Sequence, residues 1–198
     1  MATKLQTKEV LRKDLRKKRT QLAGQLDVAA RDALARNFFE FLPNLQGMIV
    51  AGYMRQGSEV NCSSLLRLLE MRGIKVALPV VAKKNAALEF RSYAFGDELR
   101  DGLLGNREPL KSADQVEPDI ILVPLLGFDD KGNRIGQGQG YYDRTLKALR
   151  KKREILAVGL AYQGQEQKAL PVEAGDQALD AVLTEAGCWI FRGEGAKK

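Results

Sequence analysis

Ile120-Ile121-Leu122-Val123-Pro124-Leu125-Leu126, followed after a short connection by GNRIGQGQGYYDRTL at residues 132–146, decides the fold. A continuous apolar run of this length reads as a strand covered on both faces. Gly136, Gly138 and Gly140 stand at alternate positions behind Arg134, and a helical pattern runs from Tyr142 to Arg150. Strand, glycine loop and helix start is the order in which α/β proteins build phosphate sites. Glycines let backbone N–H groups converge on an anion, and the helix adds its positive end. Arg134 and Arg144 can give charge-assisted hydrogen bonds to phosphate oxygens. Asp143 is the exception. A carboxylate about 4 Å from a phosphate charge is repelled by about 4 kcal/mol at an effective dielectric near 20. A divalent cation between them reverses the sign, so Asp143 points to Mg²⁺ and a nucleotide. The spacing is neither GxxxxGK[ST] nor GxGxxG directly behind a strand, and glycine spacing alone also suits a tight connection with no ligand.

Outward from this stretch, apolar strands alternate with amphipathic helices. A basic helix is expected from Lys4 to Gln21, with Leu11, Leu15 and Leu22 on one face. Gly24 is expected to break it, and Asp27 to cap a second helix ending at Pro43. Strands follow at Met48–Met54, Lys75–Val81, Leu88–Tyr93, Ile120–Leu126, Ile155–Ala161, Ala181–Thr184 and Cys188–Phe191. A helix from Asn61 to Met71, with Leu65, Leu66, Leu68 and Leu69 inward, stops at Gly73. Residues 96–117 and 164–175 read as loops. The pattern predicts one α/β domain over residues 1–198, a three-layer α/β/α sandwich with a mostly parallel sheet and an N-terminal basic helix. In such sheets ligands lie beyond the carboxyl ends of the strands. The loops after Met54, Leu126 and Ala161 then share one rim.

The 198 residues contain no histidine, which removes Ser-His triads, histidine bases and histidine metal sites. Cys62 and Cys188 have no metal-like neighbours and read as free thiols. No long apolar span or signal-peptide pattern is present, so a soluble cytoplasmic protein is expected, without membrane partners. The net charge is +7, and residues 4–19 carry eight cations against two acids, a local +6. Lys8, Arg12 and Arg16 form a stripe at i, i+4 spacing. It reads as a solvated helix face, as an arm laid on an anionic ligand, or as a nucleic-acid contact. The last is weakened by the lack of an aromatic platform, zinc motif or arginine-glycine tract. Glu59 is either an ordinary acid before a helix or an acceptor for a donor-rich heterocycle. Asp176 is either a turn residue or a second metal carboxylate.

Four stretches together resemble the 5-formyltetrahydrofolate cyclo-ligase (5,10-methenyltetrahydrofolate synthetase) family: Lys8–Arg12, YMRQGSEV at residues 53–60, GFDDKGNRIGQGQGYYDR at residues 127–144, and PVEAGD at residues 171–176 running on to Thr184-Glu185. The resemblance spans nearly the whole chain, and the FD..GNR.G.G.GYYDR segment carries its specificity. It implies an ATP- and Mg²⁺-dependent conversion of 5-formyltetrahydrofolate to 5,10-methenyltetrahydrofolate, with release of ADP and phosphate. ATP phosphorylates the formyl oxygen, nitrogen 10 closes the ring, and phosphate leaves. It also implies that Lys8, Arg12, Arg134, Ile135, Gly136, Gln137, Gly138, Gln139, Gly140, Tyr141 and Tyr142 contact ATP. Met54 and Glu59, with the loop residues from Gln137 to Tyr141, would face the folate, and Asp143 and Asp176 would hold Mg²⁺. Gln137 and Gln139 stand where relatives often carry aromatic or basic side chains. The partners expected are small molecules rather than nucleic acid, and the protein is expected to be a monomer. Phosphoryl transfer asks mainly for positioning and charge neutralisation, so a site without histidine suits it. A nucleic-acid-binding protein and a different phosphoryl-transfer enzyme or nucleotide-binding regulator are the competing readings.

Overall fold

The computed structural model describes residues 7–25 and 28–191. In chain order they form α1 (Lys8–Gln25), α2 (Val28–Phe41), β1 (Ile49–Ala51), α3 (Ser63–Met71), β2 (Lys75–Val80), β3 (Glu89–Ser92), β4 (Leu99–Asp101), β5 (Arg107–Pro109), β6 (Gln115–Val116), β7 (Ile120–Pro124), β8 (Gly127–Phe128), β9 (Arg134–Ile135), α4 (Tyr141–Arg150), β10 (Leu156–Leu160), a 3₁₀ turn (Gln163–Gln165), β11 (Ala181–Thr184) and β12 (Gly187–Ile190). The main sheet has eight strands in the order β12-β11-β10-β7-β1-β2-β3-β6. From β11 to β2 all neighbours are parallel, and β12, β3 and β6 close the edges antiparallel.

The continuous apolar strands are explained by two covered faces. Val50, Leu78, Leu122, Val158 and Leu183 pack with Leu34 and Phe38 of α2 and with Leu65, Leu66 and Leu69 of α3. Their neighbours in the strands, Ile121, Val123 and Val182, turn the other way onto Leu146 and Leu149 of α4. The period of two sends alternate residues to opposite layers. Full burial of a Leu, Ile, Val or Phe side chain contributes about 1.5–3 kcal/mol, so both faces drive the fold. β7 and β10 pair over five residues near the centre, and the sheet reverses its order of growth at the adjoining β1–β7 pair.

Several expectations change. α1 runs through Gly24 to Gln25. A helical glycine costs about 1 kcal/mol, but Leu22 and Ala23 pack against the core and hold the turn in place. Asp27 lies outside the described residues. Leu68 is 38 % exposed rather than inward, because Leu65, Leu66 and Leu69 fill the arc that faces the core and Leu68 falls at its edge. Residues 96–117 are not a loose region. β4 and β5 form a hairpin, and β6 joins the sheet edge. The hairpin is held by Glu108, which is fully buried, accepts the Val81 N–H at 2.9 Å and pairs with the Arg100 Nη2 at 3.0 Å. A buried acid of this kind leaves no hydrophobic alternation to read. Among the described residues no helix is long and apolar enough to cross a membrane.

Candidate active site

β1, β7 and β10 run parallel, so their carboxyl ends lie on one rim, as the reading of alternating elements requires. A cleft of about 260 Å³ opens there. Its walls come from the segments after β1 (Tyr53, Met54, Glu59), after β7 (Arg134 through Asp143) and after β10 (Glu173, Asp176), with Lys8, Arg12 and Arg19 of α1 beside them. Every residue expected to contact nucleotide, folate or metal therefore lines one cavity.

The segment between strand and glycines is a structural device. β8 and β9 form a short hairpin whose turn is organised by Asp129, only 2 % exposed. Its carboxylate accepts the N–H groups of Lys131 (3.1 Å), Asn133 (3.0 Å) and Leu170 (3.1 Å) and the Asn133 side-chain amide (3.0 Å). Gly132 has φ +76°, and a Cβ there would lie 2.8 Å from the Leu179 carbonyl oxygen. The FDDKGN half of the motif thus fixes the turn, and Arg134 emerges from it at a set place. Ile135 anchors the exit, packed with Leu15, Leu126 and Leu170.

The three alternate glycines are not equivalent. Gly138 and Gly140 have φ +101° and +67°, and a Cβ on either would press against the Arg12 or Arg144 guanidinium. Gly136 lacks such a φ, and a Cβ there would meet nothing within 4 Å. Gly140 is the N-cap of α4 and supplies no side-chain cap. Among the described residues, no backbone N–H from Gly136 to Asp143 is given to a protein acceptor. A loop of free amides opening a helix is suited to bind an anion.

α1 lies across this loop. Arg12 Nε donates to the Gly136 carbonyl at 3.2 Å, and Arg16 Nη2 to Gln137 Oε1 at 2.9 Å. Lys8, 9 % exposed, reaches Asp176 Oδ2 at 2.6 Å and Glu173 Oε2 at 3.2 Å. Lys8 and Arg12 of the basic stripe therefore line the cleft, which overturns the solvated-face reading at these two positions, while Arg16 stays exposed on the rim beside Gln137. Lys13, Lys17 and Lys18 point away from the cleft into solvent. Arg144 is also corrected. Its Nη2 donates to the Gln139 carbonyl at 2.7 Å and its Nε to the Ala86 carbonyl at 3.1 Å, so it staples the loop from behind.

Arg134 and Asp143 form an ion pair at 2.7 Å, and Asp143 Oδ1 also accepts the Gln177 N–H at 3.0 Å. Arg134 donates its other arm to the Gln177 carbonyl. The segment carrying Asp176 is thus tied to the start of α4. Among the described residues no three His, Cys, Asp or Glu side chains gather as a metal cluster. Asp143 and Asp176 each engage one carboxylate oxygen and leave the other without a protein donor. That donor set fits Mg²⁺, which takes one or two carboxylates and completes its octahedron with phosphate oxygens and water.

Glu59, 6 % exposed, accepts the Gln56 N–H on Oε2 at 3.0 Å. Arg19 Nη1 stands 3.7 Å from its Oε1. Burial pushes the Glu59 carboxyl above its usual value, and the Gln56 N–H and the Arg19 charge pull it back in part. Burial also raises the Tyr142 and Tyr53 hydroxyls. Val81, Leu88 and Leu104 add apolar wall. Arg19, Tyr53, Leu104 and Glu173 escaped the sequence reading. Only Arg19 left a signal, since it extends the Lys8, Arg12, Arg16 stripe by three residues. The others enter the cleft through tertiary packing.

With this geometry in place, comparison with known proteins agrees. The model of the 5-formyltetrahydrofolate cyclo-ligase family matches residues 4–185. The chain is 32 % identical over 183 residues to the 5-formyltetrahydrofolate cyclo-ligase of Haemophilus influenzae, covering 90 % of this chain and 97 % of that one. It is 31 % identical over 180 residues to the enzyme of the same name from Escherichia coli K12, covering 88 % and 98 %. Its fold is similar to the solved structure of Aquifex aeolicus 5,10-methenyltetrahydrofolate synthetase, with a TM-score of 0.74, 27 % identity, and 95 % and 96 % of the two chains covered. A free-amide loop at a helix start, a paired Arg and Asp beside it and a match along nearly the whole chain lead to one conclusion: the chain belongs to the 5-formyltetrahydrofolate cyclo-ligase family.

Proposed function

We propose that this chain converts 5-formyltetrahydrofolate to 5,10-methenyltetrahydrofolate at the expense of ATP, with Mg²⁺. The observation that carries the proposal is the single cleft in which the free-amide loop and the buried Glu59 acceptor stand together. The loop from Gly136 to Tyr142, with Lys8, Arg12 and Arg134, receives the triphosphate. Met54 and Glu59, with Gln137 to Tyr141, receive the folate. Asp143 and Asp176 hold Mg²⁺, which supplies charge neutralisation at the phosphates when bound.

The chemistry asks little acid–base work of the protein. The formyl oxygen forms a bond to the γ-phosphorus as the bond to the ADP oxygen breaks. Nitrogen 10 then attacks the activated carbon and loses its proton, and the carbon–oxygen bond breaks to release phosphate. The formyl oxygen is an amide-like nucleophile with no proton to lose, so a histidine-free site suffices. Arg134 is held by Asp143 and Gln177, so its position is set before the ligand arrives, and preorganised charge of this kind is where most of the rate comes from. The remaining task, bringing nitrogen 10 to the carbon, is one of proximity.

The test is the near-ultraviolet absorbance of the methenyl product, with 5-formyltetrahydrofolate and Mg²⁺ present, with and without ATP. Product that requires ATP supports the reading. Absence of product with ATP binding intact would move the substrate to another molecule and favour a different phosphoryl-transfer enzyme or regulator. Lys8 and Arg12 of α1 line the cleft, which favours a small anionic ligand over a nucleic-acid contact for these two residues.

A further inference from the structure

Arg19 is 3 % exposed, yet it is a cation two turns beyond Arg12 and lines the same cleft. Two nitrogens of its fork are engaged. Nε donates to Ser58 Oγ at 3.1 Å, and Nη1 donates to the Leu125 carbonyl at 3.1 Å while standing 3.7 Å from Glu59 Oε1. Thr20 of the same helix adds a second tie to Ser58 Oγ at 3.2 Å. The segment after β1 and the end of β7 are thereby clamped to one helix. Resting on the folate reading above, we propose that Arg19 is a positioning residue, which fixes the Glu59 carboxylate toward the nitrogen-rich ring of the bound folate.

Three features of the contact support this role. At 3.7 Å the Arg19–Glu59 pair is a charge contact rather than a hydrogen bond, so the lone pairs of Oε1 stay available for ligand N–H donors. Among the described residues the Glu59 carboxylate is otherwise held by the Gln56 N–H within its own loop, and the Glu59 carbonyl accepts the Tyr162 hydroxyl at 3.5 Å, but neither bond attaches the loop to α1. Arg19 and Thr20 supply the attachment to α1. The residue also has to be arginine. A lysine ammonium is a single point and cannot reach Ser58, Leu125 and Glu59 with a planar fork. Burial lowers the Arg19 guanidinium from its ordinary value, and the Glu59 charge opposes the shift.

Glu59 is the partner through which Arg19 acts, and a double-mutant cycle reads that directly. Binding of 5-formyltetrahydrofolate without ATP, and of ATP with Mg²⁺ without folate, is measured by calorimetry for wild type, Arg19→Met, Glu59→Gln and the double variant, alongside Tm. Arg19→Met is expected to weaken folate binding about 10-fold or more. ATP affinity should stay within about twofold. In the Glu59→Gln background the Arg19→Met effect should shrink to within about twofold, because there is no carboxylate left to place. An undiminished effect in that background would overturn the proposal and make Arg19 a direct contact or a plain structural residue. Equal loss of both ligands would do the same. Arg19→Lys, which keeps the charge and loses the fork, runs the same cycle if Arg19→Met does not fold, with the same two readings. Wild type that binds ATP but not 5-formyltetrahydrofolate would instead overturn the folate reading itself.

Discussion

Gly136→Ala separates the ligand-binding role of the glycine loop from its conformational role. At Gly136 the backbone does not need the left-handed region, and a new methyl would meet nothing within 4 Å. Folding alone should then favour alanine, which lowers the entropy of the unfolded chain by about 0.4–1 kcal/mol. For a chain of this size that raises Tm by about 1–4 °C. If phosphate oxygens come down onto the amides of this loop, the methyl occupies their approach. Losing one charge-assisted hydrogen bond costs about 1.5–3 kcal/mol, which is about 10- to 150-fold in ATP affinity. Gly140→Ala is the control. With φ +67° and Arg144 Nη1 at 2.9 Å from the new Cβ, it should lose about 1–2 kcal/mol of stability. Thermal unfolding by circular dichroism and the ATP dependence of product formation read both quantities. Gly136→Ala with a raised Tm and a raised ATP KM is expected. An unchanged ATP KM would refute the placement of phosphate on this loop, and a fall in Tm matching that of Gly140→Ala would refute the conformational argument.

Asp129→Ala should act on folding rather than chemistry, since it strips four donors of their acceptor in a buried turn; we expect a loss of about 3 kcal/mol or more in urea unfolding, and a variant as stable as wild type would contradict the structural role. Asp143→Asn keeps the shape but not the charge, and turnover should fall about 100-fold or more, read in steady-state kinetics. Arg134→Ala should also cost stability, about 1–3 kcal/mol, because Arg134 is 6 % exposed while its partner, at 30 %, stays partly hydrated; a loss under 0.5 kcal/mol in the same unfolding assay would show the pair to be loose. Glu59 predicts a pH effect. The groups facing it are Arg19 from α1, Arg55, Tyr53 and Cys62 on its own side, and Tyr142 from α4. Its carboxyl is raised, so its contribution to folding stability is present below the usual 4.5 and is lost as pH rises through the folded value. Folate affinity should move the opposite way and increase over the same window as the acceptor ionises. Calorimetry against pH should show that limb in wild type and a flat response in Glu59→Gln.

The layout of the fold was legible where hydrophobic pattern and backbone agree. The runs Ile120–Leu126 and Ile155–Ala161 had to be covered on both faces, which led to a mostly parallel sheet and hence to a rim where three loops meet. The residues from Arg134 to Asp143 were legible for a local reason, since glycines flanked by Arg and Asp state their chemistry in one stretch. Glu108 and the β4–β5 hairpin were not legible, because a buried acid is stabilised by partners far along the chain, here Val81 and Arg100. The same holds for Arg144, whose charge suggested a ligand until its bonds to Gln139 and Ala86 showed a staple.

By itself, then, the amino-acid sequence determined the succession of strands and helices, the glycine loop and the resemblance to its family, because those depend on periodicity and on neighbours within a few residues. Only the tertiary structure decided which way the basic helix faces, that Asp143 pairs with Arg134 and Asp176 with Lys8, and that Arg19 reaches Glu59. Charges are the same in sequence whether they face water or one another. The difference is made by desolvation and distance, and those exist only once remote segments have been packed together.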